Sequence, residues 1–251
     1  MEVFEPVERA MVVTPHPDDA ELGCGGTVAK LIGAGKEVFY VVATSGNKGG
    51  RDTDMSGDYL RKAREEEQNR AAEVLGVSEV VFLDFGDGEL EDDHAFRRAL
   101  VYQIRRLKPD IIFTTDPFRS SFYIHRDHRI AGLVTIDAAF PYARDRLHYP
   151  EHIAEGLSVH NVQEVYFWLS ENPEIFVDIE DVIELKIKAI MEHSSQMQDL
   201  LGKEGNVERF RKRMKAWSSR AAHQYQTEFT YVEAFRKFGI RRQMEDVDEE
   251  S

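Results

Sequence analysis

Residues 11–26 read Met-Val-Val-Thr-Pro-His-Pro-Asp-Asp-Ala-Glu-Leu-Gly-Cys-Gly-Gly, and they limit the folds open to this chain more than any other stretch. The apolar run 11–13 has the character of a buried strand. Thr14-Pro15 ends it, because proline has no N–H to give to a central ladder. Four groups suited to metal or proton chemistry follow: His16, Asp18, Asp19 and Glu21. Gly23, Gly25 and Gly26 then let the backbone turn and start a helix. A strand that delivers His and Asp into a loop at its carboxyl end is where an open α/β sheet keeps its active site. On these residues alone, a turn followed by a helix N-cap is an equal account, since Asp is a favoured cap and Pro a favoured first-turn residue.

The remainder of the chain alternates strand and helix. A first strand spans 9–14. A helix over 22–35 sets Val28, Leu31 and Ile32 on one face and closes at Gly33 and Gly35. Residues 37–44 form a near-continuous apolar run, as in a strand buried on both faces of a parallel sheet. The loop 45–57 is long enough to be functional. A helix over 58–75 ends at Gly76, a strand spans 80–85, and a helix over 95–107 precedes Pro109. A fourth strand, 111–115, ends at Asp116-Pro117.

This alternation predicts an α/β fold: a doubly wound, mostly parallel sheet flanked by helices, Rossmann-like and single-domain. At 251 residues one large domain over 1–242 suffices. Residues 243–251 are acidic and lack a core pattern, which predicts a frayed tail. Beyond a helix over 129–139, the stretch 141–161 is irregular and is expected to cover part of a cleft. Strands over 165–169 and 175–177, helices over 181–193 and 207–223, and a segment over 229–235 that packs back on the domain complete the chain.

Asp and Glu number 46 against 32 Lys and Arg, a formal net charge of -14. That balance argues against a nucleic acid or an anionic membrane as main partner and leaves a neutral or polar small substrate. Cys24 is the single cysteine, so no intrachain disulfide forms and a reducing compartment is expected. The acidic N-terminus lacks the apolar core of a signal peptide, and no run reaches the length of a membrane span. The expectation is a soluble cytoplasmic protein without stable membrane association.

A second string, His125-Arg126-Asp127-His128, follows the fourth strand and precedes a helix. Alone it is weak, because surface histidines and helix caps produce such strings. Joined to the first it is stronger. In the common doubly wound order strands 1 and 4 are neighbours and the strand order reverses between them, so both strings open into one crevice. Three neutral or anionic ligands with an open position make a hydrolytic zinc site, and the lack of a Cys set argues against a structural zinc. The two strings hold more side chains than three ligands require, which leaves others to serve as base, acid and orienting group.

His-Pro-Asp-Asp at 16–19, followed by Glu21-Leu22-Gly23-x-Gly25-Gly26-Thr27 and by His125-x-Asp-His128, resembles the LmbE-like (PIG-L) family of zinc-dependent N-acetylglucosaminyl deacetylases. Arg64-x-x-Glu67, Ala-Glu-Val-Leu-Gly-Val at 72–77, Lys188-Ala189, His193-x-Ser195-Gln196 and Glu233-Ala234-Phe235-Arg236 are similar to later family segments. The resemblance spans roughly 10–236. It implies His16, Asp19 and His128 as zinc ligands, and Asp18 as the general base. It implies His125 as the group that stabilises the oxyanion and protonates the leaving amine, and Asp127 as the residue that orients or charges His125. Arg64 would contact sugar hydroxyls. The substrate implied is a small acetylated sugar, with diacetylchitobiose or a small glycoside of N-acetylglucosamine favoured, and a homo-oligomer is expected.

Other readings compete. A metal-dependent hydrolase of another amide or ester would use the same first string. A dinucleotide-binding protein is disfavoured, because Gly23-Cys-Gly-Gly does not spell G-x-G-x-x-G and carboxylates occupy the turn where pyrophosphate would sit. A non-catalytic sugar-binding module needs neither Asp18 nor His125. Glu21 reads as a brace for the first helix and Cys24 as packed. His193 stands open between the site and a buried hydrogen bond, and Asp87 between substrate and an Asp-Gly turn.

Overall fold

The computed structural model describes residues 4, 6–49, 56–121, 123–196 and 206–240. Seven strands form one sheet: β1 (Arg9–Thr14), β2 (Glu37–Thr44), β3 (Glu79–Phe85), β4 (Ile111–Thr115), β5 (Glu164–Trp168), β6 (Ile175–Asp178) and β7 (Val232–Gly239). Their order is β3-β2-β1-β4-β5-β7-β6. Strands β1 to β5 run parallel, and β7 lies antiparallel between β5 and β6. The chain winds outward from β1 through β2 to β3, then returns to place β4 on the other side of β1, with Ala10 beside Ile111. The switch point therefore falls between the two strands that precede the two histidine strings. β1, β2 and β4 are apolar nearly throughout because helices cover both faces of the sheet. The terminal segment expected to pack back on the domain is the strand β7.

The helices are α1 (Asp19–Gly33), α2 (Gly57–Leu75), α3 (His94–Leu107), α4 (Arg126–Asp137), α5 (Pro150–Ala154), α6 (Ile183–Met191) and α7 (Val207–Gln224). One core cluster joins the sheet to α1, α2 and α6, and a second joins it to α3 and α4. Local chemistry sets the ends. The Ser56 hydroxyl accepts from the Tyr59 amide to start α2, and Gly76 closes it in the left-handed region, with φ 86°. Asp93 starts α3 by accepting from the Phe96 amide.

Two boundaries differ from expectation in a way that bears on the site. α1 begins at Asp19 and not at residue 22, and α4 begins at Arg126 and not at residue 129. Both acidic strings therefore lie in first helical turns, where carboxylates meet the positive end of the helix dipole. The stretch 141–161 also departs from expectation. It packs outside α3, where the buried Arg105 guanidinium donates to the carbonyls of Tyr142, Ala143, Asp145, His148 and Tyr149. His160 Nε2 lies 2.7 Å from the carbonyl of Pro109, which precedes β4. With the Tyr149 ring against His94 and Glu151 accepting from Arg98, these contacts hold the stretch along the length of α3. The expected frayed tail, 243–251, lies outside the described residues, as does part of the 45–57 loop.

Candidate active site

β1 ends in a tight turn. The Thr14 hydroxyl donates to the His16 carbonyl at 3.0 Å, and the Thr44 amide at the end of β2 donates to the Pro15 carbonyl at 3.0 Å. Asp18 follows in the left-handed region, φ 89°, a strained conformation for a residue with a side chain. Its amide donates to Gln68 Oε1 at 3.1 Å, and Arg64 donates to the Pro17 carbonyl at 2.6 Å. The turn is thus held from α2, and it points Asp19 back at His16.

Three ligand-type atoms converge. His16 Nδ1 is 3.1 Å and His128 Nε2 is 3.2 Å from Asp19 Oδ2. All three residues are buried, and one ligand atom from each lies within 4.8 Å of the others. Ligands held tetrahedrally at ~2.0–2.1 Å from a metal stand about 3.3 Å apart, so this spacing fits a small divalent ion. His128 Nε2 points the same way. It is buried and has no hydrogen-bond partner, in spite of its closeness to Asp19. Burial pushes Asp19 up, but the facing His128 and His16 outweigh it and hold the carboxyl far below the usual range. Burial works against a charged His16, yet hydrogen bonds with Asp127, Asp19 and Asp87 raise it well above the ordinary histidine value. A bound cation would take the place of that proton.

His16 belongs to a second group with Asp87, His125 and Asp127. Its Nε2 is 3.0 Å from Asp127 Oδ2 and 3.3 Å from Asp87 Oδ1. Both carboxylates are already engaged by backbone: Asp127 accepts from Gly88 and Leu90, and Asp87 from Lys48. The two carboxylates therefore read as support for His16. A carboxylate on the far nitrogen of a ligating histidine fixes its tautomer and its ring orientation.

Two expected roles change. Asp127 does not pair with His125 through its carboxylate. Residues two apart on a helix do not share a face, and the Asp127 side chain turns to His16. His125 instead caps α4, its Nδ1 accepting the Asp127 amide at 3.1 Å. Burial and the neighbouring His16 push His125 below its ordinary value, and the Asp127 charge, expected to charge the ring, opposes them without prevailing. Arg64 is the second. It falls on the buried stripe of α2 with Leu60, Glu67, Gln68 and Ala71 and is only 4% exposed. Its guanidinium joins the carbonyls of Gly46 and Pro17 and stands 3.5 Å from Asp18 Oδ2. It braces the turn and the Asp18 carboxylate from behind, where the sequence reading had it meeting sugar hydroxyls. Burial pushes Asp18 up to about 6, with the Arg64 charge opposing and Asp19 adding to the rise.

Of the remaining residues, Glu21 is a brace: it accepts from Gln68 and lies 3.1 Å from His193 Nε2, both partners being buried. Cys24 is fully buried. His148, His152 and His160 lie in the stretch beside α3. Arg211 and Lys215, on α7, pair with Glu184 on α6. Asp87 does reach His16. Its position after β3, at the carboxyl end of the sheet, was the available signal. Asp84 pairs with Arg61 at the surface. Thr115 and Gln68 carried no signal, since their partners are distant in sequence.

With this geometry in view, the chain matches the PIG-L family, described as GlcNAc-PI de-N-acetylase, over residues 11–139. It is 39% identical over 198 residues to a diacetylchitobiose deacetylase of Thermococcus kodakarensis, covering 79% of this chain and 73% of that protein. The solved structure of an N,N'-diacetylchitobiose deacetylase from Pyrococcus horikoshii superposes with a TM-score of 0.85 at 30% identity, covering 94% of this chain and 85% of that one. A 4-oxalmesaconate hydratase of Pseudomonas putida is 29% identical over 202 residues, covering 74% of this chain and 72% of that protein. No helix among the described residues is long and apolar enough to cross a membrane. The family profile spans both histidine strings and the two strands that bring them together, and the chain belongs to the PIG-L family.

Proposed function

We propose that this chain is a zinc-dependent deacetylase that hydrolyses the N-acetyl group of a small N-acetylglucosamine-type sugar, diacetylchitobiose or a short glycoside, to free amine and acetate. The observation that carries the reading is the convergence of His16 Nδ1, Asp19 Oδ2 and His128 Nε2, with Asp18 next in sequence and half-buried. Two imidazoles and one carboxylate are a donor set that zinc favours. When bound there, the ion supplies Lewis acidity to the acetyl carbonyl and to the attacking water.

The chain's own groups divide the rest of the work. Asp18 accepts the proton of the water. A half-buried carboxylate raised to about 6 is a better base than an exposed one and is still ionised near neutrality. Arg64 holds that carboxylate in place, and Gln68 fixes the backbone beneath it. His125 accepts a backbone amide at Nδ1, so its neutral ring carries hydrogen on Nε2. That N–H donates a hydrogen bond to the developing oxyanion, and the proton the departing nitrogen takes is the one Asp18 removed from the water. Asp127 and Asp87 hold His16 through Nε2 and leave Nδ1 facing Asp19. The absence of a basic surplus, with net charge -14, suits a neutral sugar. A homo-oligomer in the cytoplasm remains part of this proposal.

The test is a panel of N-acetylated sugars, including diacetylchitobiose, N-acetylglucosamine and simple glycosides, assayed for released amine and acetate. Amine release from at least one, abolished by chelation and restored by zinc, is expected. No release from any sugar by metal-loaded protein would overturn the reading. The hydratase among the relatives gives the same assay a second use, because addition of water across a double bond releases no amine.

A further inference from the structure

We propose that Thr115, held by Arg119, accepts the Nδ1 hydrogen of His128 and so keeps the Nε2 lone pair of that ring directed at the metal position. The inference rests on the metal-centre reading above and adds two positioning residues to it.

Thr115 is the last residue of β4, and His128 lies in the first turn of α4. Both are buried. Thr115 Oγ1 stands 3.4 Å from His128 Nδ1, a long contact whose direction depends on the ring tautomer. The opposite nitrogen decides it once a cation is bound. His128 Nε2 lies 3.2 Å from Asp19 Oδ2, in the ligand set with His16. A ring that offers its Nε2 lone pair to a cation there, in place of a hydrogen to the Asp19 carboxylate, carries its one hydrogen on Nδ1. Thr115 Oγ1 then receives it.

Arg119 fixes the acceptor. It is 8% exposed, and among the described residues it forms no ion pair within 4 Å. Its Nη2 donates to Thr115 Oγ1 at 3.2 Å and its Nε donates to the Asp116 carbonyl at 3.2 Å. A guanidinium only donates, so it takes one lone pair of the hydroxyl oxygen and leaves the second for His128. The two donors together select one rotamer of a β-branched side chain that has few. Burial of the guanidinium pushes it below its ordinary value, with Asp116 and Asp19 opposing. A buried, unpaired cation is expensive to keep, and the contact to Thr115 gives it a use.

The backbone supports the same contact. Gly132 lies one helical turn beyond His128, on the same face of α4. A Cβ on Gly132 would stand 2.5 Å from the Thr115 carbonyl oxygen. The glycine lets β4 and α4 approach closely enough for the hydroxyl to reach the ring.

Two measurements test this on zinc-loaded protein. With isotope-labelled histidine, NMR of the imidazole should find the His128 hydrogen on Nδ1 and shifted downfield by a hydrogen bond. Thr115→Val should lose that downfield shift. An Nδ1 proton resonance unchanged in the variant overturns the proposal. The second measurement is zinc affinity by competition with a chromophoric chelator, each variant being checked for unchanged thermal unfolding without metal. Thr115→Val should bind about 10–100-fold more weakly, the range seen when outer partners of metal ligands are removed, and Thr115→Ser should restore most of the loss. Arg119→Met should weaken binding by roughly tenfold, and the double variant should be no weaker than Thr115→Val, because Arg119 acts through Thr115. Wild-type affinity in Thr115→Val, or additive losses in the double variant, would reject the assignment. Failure of the unaltered protein to take up zinc would instead strike the metal-centre reading.

Discussion

Asp18 and Asp19 are the same residue type, one position apart, in opposite environments. Asp19 faces two imidazoles and is held far below the usual carboxylate range. Asp18 is half-buried and raised to about 6 by desolvation, with the Arg64 charge the foremost of those opposing. Neighbouring carboxylates whose values are pushed apart mark a division of roles between acid–base work and charge neutralisation. Asp18→Asn should therefore retain the metal and lower kcat by about 10²–10⁴-fold, the usual contribution of a positioned general base. Steady-state kinetics on protein of measured metal content would show it, and near-normal turnover would remove Asp18 from the chemistry. At this scale the sequence was legible for groups that lie in the two strings. It was not legible for Arg64 and Asp127. Their partners, Gly46, Pro17 and His16, lie 18, 47 and 111 residues away, and spacing along one helix does not reveal them.

The element that decides the geometry of the site is α1, and it is broken. Cys24 leaves the helical region at φ -143° and ψ 16°, splitting the helix one turn after Asp19. A break in a buried helix leaves carbonyls on one side and amides on the other without partners. A single buried ion pair serves both. Lys186 Nζ donates to the Leu22 carbonyl, at the end of the first half, and to Glu233. Glu233 accepts from the Gly26 and Thr27 amides, at the start of the second half. The cation thus sits at a helix carboxyl end and the anion at an amino end, the favourable sense for each dipole. Removing one partner leaves a buried charge uncompensated, so Lys186→Met or Glu233→Gln should each destabilise by roughly 3–5 kcal/mol in denaturant unfolding, with the double variant losing less than their sum. Single variants as stable as wild type would refute this account of the kink. The sequence shows the glycines of α1 but not their purpose. Gly23 was read as room for a turn; a Cβ there would stand 2.6 Å from the Trp168 ring, so its use is close packing against β5. The kink was hidden for the same reason as the ion pair, whose acceptor is 207 residues from the amide it caps.

For the molecule as a whole, the sheet order carries most of the function. Apolar runs and turn residues were enough to read β1 to β4 and their winding, because each strand's burial is written in its own residues. The antiparallel insertion of β7 between β5 and β6 was not readable, since register between distant strands is set by packing. The consequence of the order is that His16 and Asp19, on the β1–α1 side, meet His128, on the β4–α4 side, across the switch point. A metal held by all three would tie two halves of the sheet that are otherwise joined by strand pairing and side-chain packing. It binds the folded chain and has no assembled site in the unfolded one, so it adds stability by mass action. At a free metal concentration 100 times the dissociation constant the gain is about 2.7 kcal/mol. For a chain of this size each kcal/mol shifts the melting temperature by about 2–4 °C, so zinc should raise it by roughly 5–10 °C over chelated protein. His128→Ala should melt at one temperature with or without zinc, because it removes the ligand from the far side of the switch point. A zinc-dependent rise that survives in His128→Ala would place the metal elsewhere in the molecule and separate the two strings again.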